Sequence, residues 1–225
     1  MRFYQLLALL LLAVSMTAQS KGTSEKIGPS AAWQMPPEFM TSAHAVCDQS
    51  SPHGYAVCVI DEMAKAGAPA DAVRFTRELY KESHGEFGVM TGFQDEGPLA
   101  FAWITYPLRA NTNYGFLLVN GQPAIINVED LKLLDVKNMK QSPQFQELKR
   151  QFPKVDVWPG DRDGKVWPDS QVGTNGDLQF TIGYPLIDGC HACPRAGTAI
   201  FNWNFDAMGK FLGTSFQGML DPPLQ

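Results

Sequence analysis

The chain has little of what a membrane-spanning, fibrous or nucleic-acid-binding protein requires. Its longest apolar run, from Leu6 to Val14, is about half of the roughly 18 to 20 residues a bilayer-crossing helix needs, and no later run is longer. Lys and Arg are not clustered anywhere. With 18 basic against 23 acidic residues the formal net charge is -5, so the phosphate-neutralising surface behind nucleic-acid affinity is missing. There is no internal repeat. No phosphate loop, dinucleotide fingerprint or HExxH zinc motif occurs. What is present is ordinary globular composition, 44% hydrophobic and 11% aromatic. The 20 glycines and 16 prolines favour turns and short strands over a helical bundle.

The first twenty residues carry the clearest signal. Arg2, the apolar run, and then Ser15, Met16, Thr17, Ala18, Gln19 and Ser20 follow the positive, apolar, small-residue order of a secretory signal peptide. Cleavage is expected after Ala18 or Ser20. No cysteine stands beside that region, so a lipid anchor is not expected. The expected location is periplasmic or secreted, in an oxidising compartment, with no stable membrane insertion once the signal is removed.

The rest divides into a flexible N-terminal arm, residues 21–42, on which Trp33 and Phe39 are able to dock, and a single domain, residues 43–225. From Gly54 to Ser83 the period is helical. One stripe holds Tyr55, Val59, Ile60 and Met63; a second holds Val73, Thr76, Leu79 and Tyr80, and Gly67 and Pro69 punctuate them as a helical hairpin. From Gly88 the period becomes two. Phe93 leads into a Gln-Asp-Glu-Gly turn, strands follow at Leu99 to Tyr106 and Tyr114 to Val119, and Asn120-Gly121 signals a type I′ hairpin returning at Ala124 to Val128. Helices are expected at Asp130 to Val136 and at Pro143 to Phe152, the latter capped by Ser142. Residues 153–177 read as a long loop with one short strand at Val155 to Trp158. Two alternating segments close the chain, Leu178 to Leu186 and Phe201 to Phe205, with Lys210 to Gln217 after them. The fold class is therefore α+β: an antiparallel sheet of meander and hairpins with helices packed on one face and an N-terminal helical hairpin.

Four cysteines carry the candidate chemistry. An even count in an exported chain is first a disulfide framework, and three connectivities are open; local pairing of Cys47 with Cys58 and of Cys190 with Cys193 is preferred. By chain entropy the larger ring would contribute about 3 kcal/mol and the smaller about 2. C-x-x-C is also the motif of thiol-disulfide oxidoreductases. Cys190 would be the nucleophile and Cys193 the resolving thiol, with His191 and Arg195 lowering a thiol pKa by nearby positive charge. The context differs from that enzyme class, because Pro194 and a strand follow, not a helix.

The remaining patterns are incomplete. His44, Cys47, His53 and Cys58 match no standard zinc finger spacing. Asp161-Arg162-Asp163-Gly164 has Pro159 where a calcium loop needs a ligand, and it lacks the closing Glu. Gly213 to Gly218 is one residue too long for a nucleophile elbow around Ser215, and no helix follows. The aromatic strand residues are read as core or as a pocket lining, with Trp103, Tyr184 and Trp203 as candidate ligand-binding residues. The polar strand positions Gln179, Thr181, Asn202, Asn204 and Gln217 are read as solvent-facing sheet or as a docking surface. The sequence points to no cofactor, no metal and no identifiable catalytic site. The expectation is an exported, disulfide-stabilised protein of binding or accessory type, its partner an unknown protein or a small apolar ligand. A thiol-disulfide redox protein is the alternative.

Overall fold

A computed structural model describes residues 25–48, 51, 54–110, 113–159, 169–190 and 192–220. The leader expected at residues 1–20 lies outside them. Three helices come first, α1 (Phe39–Val46), α2 (Tyr55–Lys65) and α3 (Ala70–Glu82). In α2 the buried residues are Val59, Ile60 and Met63, as the apolar stripe requires; in α3 they are Ala72, Phe75, Thr76 and Leu79. Gly67, with φ of 84°, follows the end of α2, where a side chain would be strained. Ahead of and into α1, residues 25–42 lie against the body. The Trp33 N–H donates to the Met90 carbonyl at 2.8 Å, and Ile27 exchanges two hydrogen bonds of 2.8 Å with the Asn120 side chain. Ala31, Trp33 and Phe39 are buried.

The strands form two antiparallel sheets, not one. Sheet A is a meander of β1 (Val89–Glu96), β2 (Leu99–Thr105), β3 (Tyr114–Val119) and β4 (Ile125–Asn127), in that order. After α4 (Val136–Gln141) and α5 (Pro143–Gln151) comes sheet B, built from β5 (Val155–Val157), β6 (Asp169–Val172), β7 (Leu178–Asp188), β8 (Arg195–Phe205) and β9 (Phe211–Leu220). Strands β5 and β6 both pair with β7, β5 at residues 186–188 and β6 at residues 178–181. The long loop expected at 153–177 thus holds two short strands.

The division into two sheets follows from β2. Its alternate residues Ala100, Ala102 and Ile104, with Tyr106 beyond, pack with Phe75 and Leu79 of α3. The intervening Leu99 and Phe101 join a larger core with Phe180, Phe201 and Phe205 of sheet B. A strand apolar on both faces needs a layer on each side, and one set of helices covers only one. The two sheets also meet through backbone: the Gln122 N–H donates to Gly209 O at 2.9 Å, and the Phe211 N–H donates to Gln122 O at 3.0 Å.

Two turns differ from expectation. Strand β1 runs through Glu96, so its turn into β2 is Gly97-Pro98, Gly97 having φ of 84°. Asn120-Gly121 does mark the antiparallel return from β3 to β4, but Val119 pairs with Ile125 across a five-residue loop, and Asn120 alone of the two has positive φ. Gly121 is required for space. A side chain there would meet the Gly209 carbonyl oxygen at 2.7 Å and collide with Leu99.

Candidate functional cleft

Sheet A ends at β4, and three connections converge beside that edge: the α3–β1 link, the β2–β3 loop and the residues following β4. Arg109, from the second, is at their centre. Its Nη2 donates to Glu86 Oε2 at 2.7 Å and its Nε to Glu86 Oε1 at 3.2 Å, while Nη1 donates to Glu129 Oε2 at 2.8 Å. The guanidinium carbon stands 3.6 Å from the Tyr106 ring centroid. This geometry combines a bidentate carboxylate pair with a cation over an aromatic face, so the Arg side chain is held in one orientation.

Glu129 occupies an unusual place. Its side chain is only 11% exposed, and Oε1 is buried with no hydrogen-bond partner among the described residues. Gly115 makes room for it, since a Cβ there would lie 2.9 Å from Oε1 and 3.2 Å from the Tyr106 ring. Burial pushes the Glu129 carboxyl above the usual carboxylate range; Arg109 opposes this and Glu86 adds to it. Burial likewise pushes the Tyr106 phenol well up. For Arg109 burial works against the charge, but Glu86 and Glu129 outweigh it and the net shift is upward.

This cluster borders a cleft of about 770 Å³. Leu79 and Ile126, both buried, form its floor. Glu82, Ser83 and His84 come from the end of α3, Asp130, Lys132 and Leu133 from the residues after β4, and Trp158 and Phe211 from sheet B and its approach. Two helix-like turns set the second group in place: the Asp130 carboxylate accepts the Lys132 N–H at 3.0 Å, and Asp135 caps α4 by accepting the Asn138 N–H at 3.3 Å. Chemically the cleft offers an apolar floor, fixed carboxylates and aromatic walls.

The residues singled out from sequence lie elsewhere. Tyr184 and Trp203 are buried in the inter-sheet core, with Trp103 half-buried against it, and none of the three lines the cleft. The Tyr184 hydroxyl donates to Val128 O at 2.7 Å, and burial pushes that phenol well up. Cys47 is bonded to Cys58 with Cα atoms 5.7 Å apart, and Cys190 to Cys193 with Cα atoms 5.1 Å apart. Cys47 is 3% exposed among α1 to α3, whereas Cys190 is exposed in the turn between β7 and β8. No helix opens after Cys193: Pro194 leads straight into β8. The Arg195 guanidinium donates to Thr198 Oγ1 at 2.7 Å. His44 is exposed, with Nδ1 2.8 Å from the Tyr55 hydroxyl. His53, His191 and Asp161 to Gly164 lie outside the described residues, among which no group of three or more His, Cys, Asp or Glu is placed to hold a metal ion.

Ser215 sits in β9 and accepts from Asn204 Nδ2 at 3.4 Å and Gln217 Nε2 at 3.0 Å, so both of these partners are amides and neither is a base. The same amides continue across the outer face of sheet B, where Gln179 Nε2 donates to Asn204 Oδ1 at 2.8 Å and Thr181 Oγ1 to Asn202 Oδ1 at 2.9 Å. Sequence reading did not find Arg109, Glu86 or Glu129. They are separated by 23 and 20 positions, and an Arg in a Pro/Asn loop or a Glu after a strand is individually ordinary. Only a strand order that brings the β2–β3 loop beside β4 could have joined them.

Comparison of the chain with protein-family models, with curated proteins and with solved structures gives no match.

Proposed function

We propose that the chain is an exported binding or accessory protein, periplasmic or secreted, and that the cleft beside β4 is where it binds. The single observation behind this is the union of a cleft of about 770 Å³ with a charged cluster already locked by Arg109. That volume falls in the range of about 300 to 1,000 Å³ typical of ligand sites, and such sites pair an apolar lining with a few fixed polar groups. The two disulfides support the export reading, because such bonds persist where thiols are oxidised. Among the described residues no helix is long and apolar enough to cross a membrane. We take α2 and α3 as an antiparallel hairpin that backs sheet A and keeps the end of α3 at the cleft mouth.

The binding reading is tested by two-dimensional amide NMR of the processed protein against a fragment library. Saturable shifts at Ile125, Lys132 and Trp158, with Thr181 and Gln217 unmoved, are the expected result. A library that leaves the cleft signals unmoved while shifting others removes the cleft as the site. Intact mass of the secreted protein tests export, the expected loss being residues 1–18 or 1–20.

A second reading, thiol-disulfide exchange, is favoured by the exposure of Cys190 at a hairpin turn. A partner dithiol would attack the Cys190–Cys193 bond and leave as a disulfide, while the pair here is reduced to two thiols. A reduction potential well above about -300 mV supports this reading, and a value below it assigns the bond a structural role.

A further inference from the structure

The charge around the cleft is unbalanced in one direction. Among the described residues Glu82, Glu86, Glu129 and Asp130 line it against Arg109, Lys132 and the neighbouring His84, and the Arg109 charge is already met by two of those carboxylates. A smaller depression of about 300 Å³ adjoins it, sharing Glu82, Pro123 and Ile125 as walls and adding Glu78 against Lys26, while its Glu25 is already paired with Arg74. An anionic ligand would find Arg109 already neutralised and would face the remaining carboxylates. A cation finds the reverse. Between them the two depressions are lined by Asn120, Gly121, Pro123 and Ala124 ahead of β4 and by all three residues of β4, the terminal strand of sheet A, so the space follows that strand and suits an extended occupant better than a compact one. The half-buried Ile125, Leu133, Trp158 and Phe211, over the floor of Leu79 and Ile126, add a requirement for hydrophobic side chains between the charges.

We propose that this groove takes an extended cationic peptide, with Lys or Arg alternating with apolar residues and laid beside β4. The proposal rests on the reading of the cleft as the binding site. Alternation fits a strand-like ligand because its successive side chains point to opposite sides, one row to the apolar floor and the other to the acidic rim.

The test uses the processed protein and three fluorescein-labelled probes: acetyl-Lys-Leu-Lys-Leu-Lys-amide, acetyl-Glu-Leu-Glu-Leu-Glu-amide and acetyl-Ser-Leu-Ser-Leu-Ser-amide. Anisotropy is read at low and at physiological ionic strength. Saturable binding of the Lys probe alone, weakened by salt, is the expected result. Glu82→Lys should lower that affinity about tenfold, while Glu147→Lys, the same charge change on the exposed face of α5, should leave it within about twofold. Equal weakening by both variants would mean diffuse attraction to an acidic protein and would overturn the proposal. So would preferential binding of the Glu probe, although a cleft footprint in the NMR experiment would then keep the binding reading intact. Silence from all three probes overturns the peptide proposal, and silence from the cleft signals in the fragment screen as well would remove both.

Discussion

Sheets A and B meet the same burial problem in different ways. Strand β2 of sheet A is apolar on both faces, with small residues, Ala100 and Ala102, on the side where α3 approaches and the large Phe101 on the side facing sheet B. Sheet B keeps its aromatic residues on one face, where Phe180, Phe201, Trp203 and Phe205 are all buried. Its other face carries neutral amides and hydroxyls that hydrogen-bond across β7, β8 and β9. The lesson is that side-chain size, as well as polarity, sorts the layers: alanines leave room for Phe75 and Leu79, phenylalanines fill the gap between two sheets, and uncharged polar groups satisfy one another where no layer needs an apolar contact.

The largest effect is expected where the sheets touch. Phe101 packs edge-on to Phe180, ring centroids 4.9 Å apart, and to Phe116 at 5.8 Å. Phe101→Ala should therefore cost about 3 to 5 kcal/mol in urea unfolding. A loss under 1 kcal/mol would mean that the two sheets are not one core. Next come the disulfides, one on the helical side of sheet A and one at the tip of sheet B. Replacing both Cys47 and Cys58 by Ala should cost about 3 kcal/mol, and the same change at Cys190 and Cys193 about 2. Under limiting dithiothreitol, alkylation should label Cys190 and Cys193 first, since Cys190 is exposed and Cys47 buried. Labelling in the reverse order would break the contrast. On the polar face of sheet B, Asn202→Ala removes the buried acceptor of Thr181 and should cost about 1 to 2 kcal/mol. Gln179→Ala, half-buried beside it, should stay within about 0.5.

How legible each part was follows from the same contrast. Strands β7 and β8 announce themselves because apolar and polar residues alternate and the polar face stays polar, as at Phe201, Asn202, Trp203 and Asn204. The Ser142 cap of α5 was equally plain, and its hydroxyl accepts the Phe145 N–H at 3.2 Å. Sheet A was read as strands but not as a separate layer, since the run Leu99 to Thr105 shows burial without showing what buries it. The turn at Asn120 was placed correctly and typed wrongly, because the close approach of Gly121 to Gly209 is a long-range contact that no local pattern encodes. Helix α1 fell partly in a segment read as a flexible arm, its eight residues too few to show a period. The cleft was not legible at all. Arg109, Glu86 and Glu129 meet only through the order of strands, and the aromatic residues that looked like a pocket lining, Tyr184 and Trp203, instead fill the space between sheets.

The smallest expected effect separates the edge of sheet A from the outer face of sheet B by pH. Burial raises the Glu129 carboxyl above its unfolded value, against the pull of Arg109. A group shifted in that direction contributes stability that is fully present below its unfolded pKa and is lost as pH rises through the folded one. Glu129→Gln keeps the shape and an acceptor for Arg109 but cannot ionise. Between about pH 4 and pH 8 the urea midpoint of this variant should therefore drift upward relative to the parent protein. Gln179→Ala, whose amide bonds to Asn204 and which lies opposite Gln171 on β6, should show a difference that is flat over the same range. A downward drift for Glu129→Gln would show that the ion pair with Arg109 outweighs burial, and the edge of sheet A would then be held by charge where its interior is held by packing.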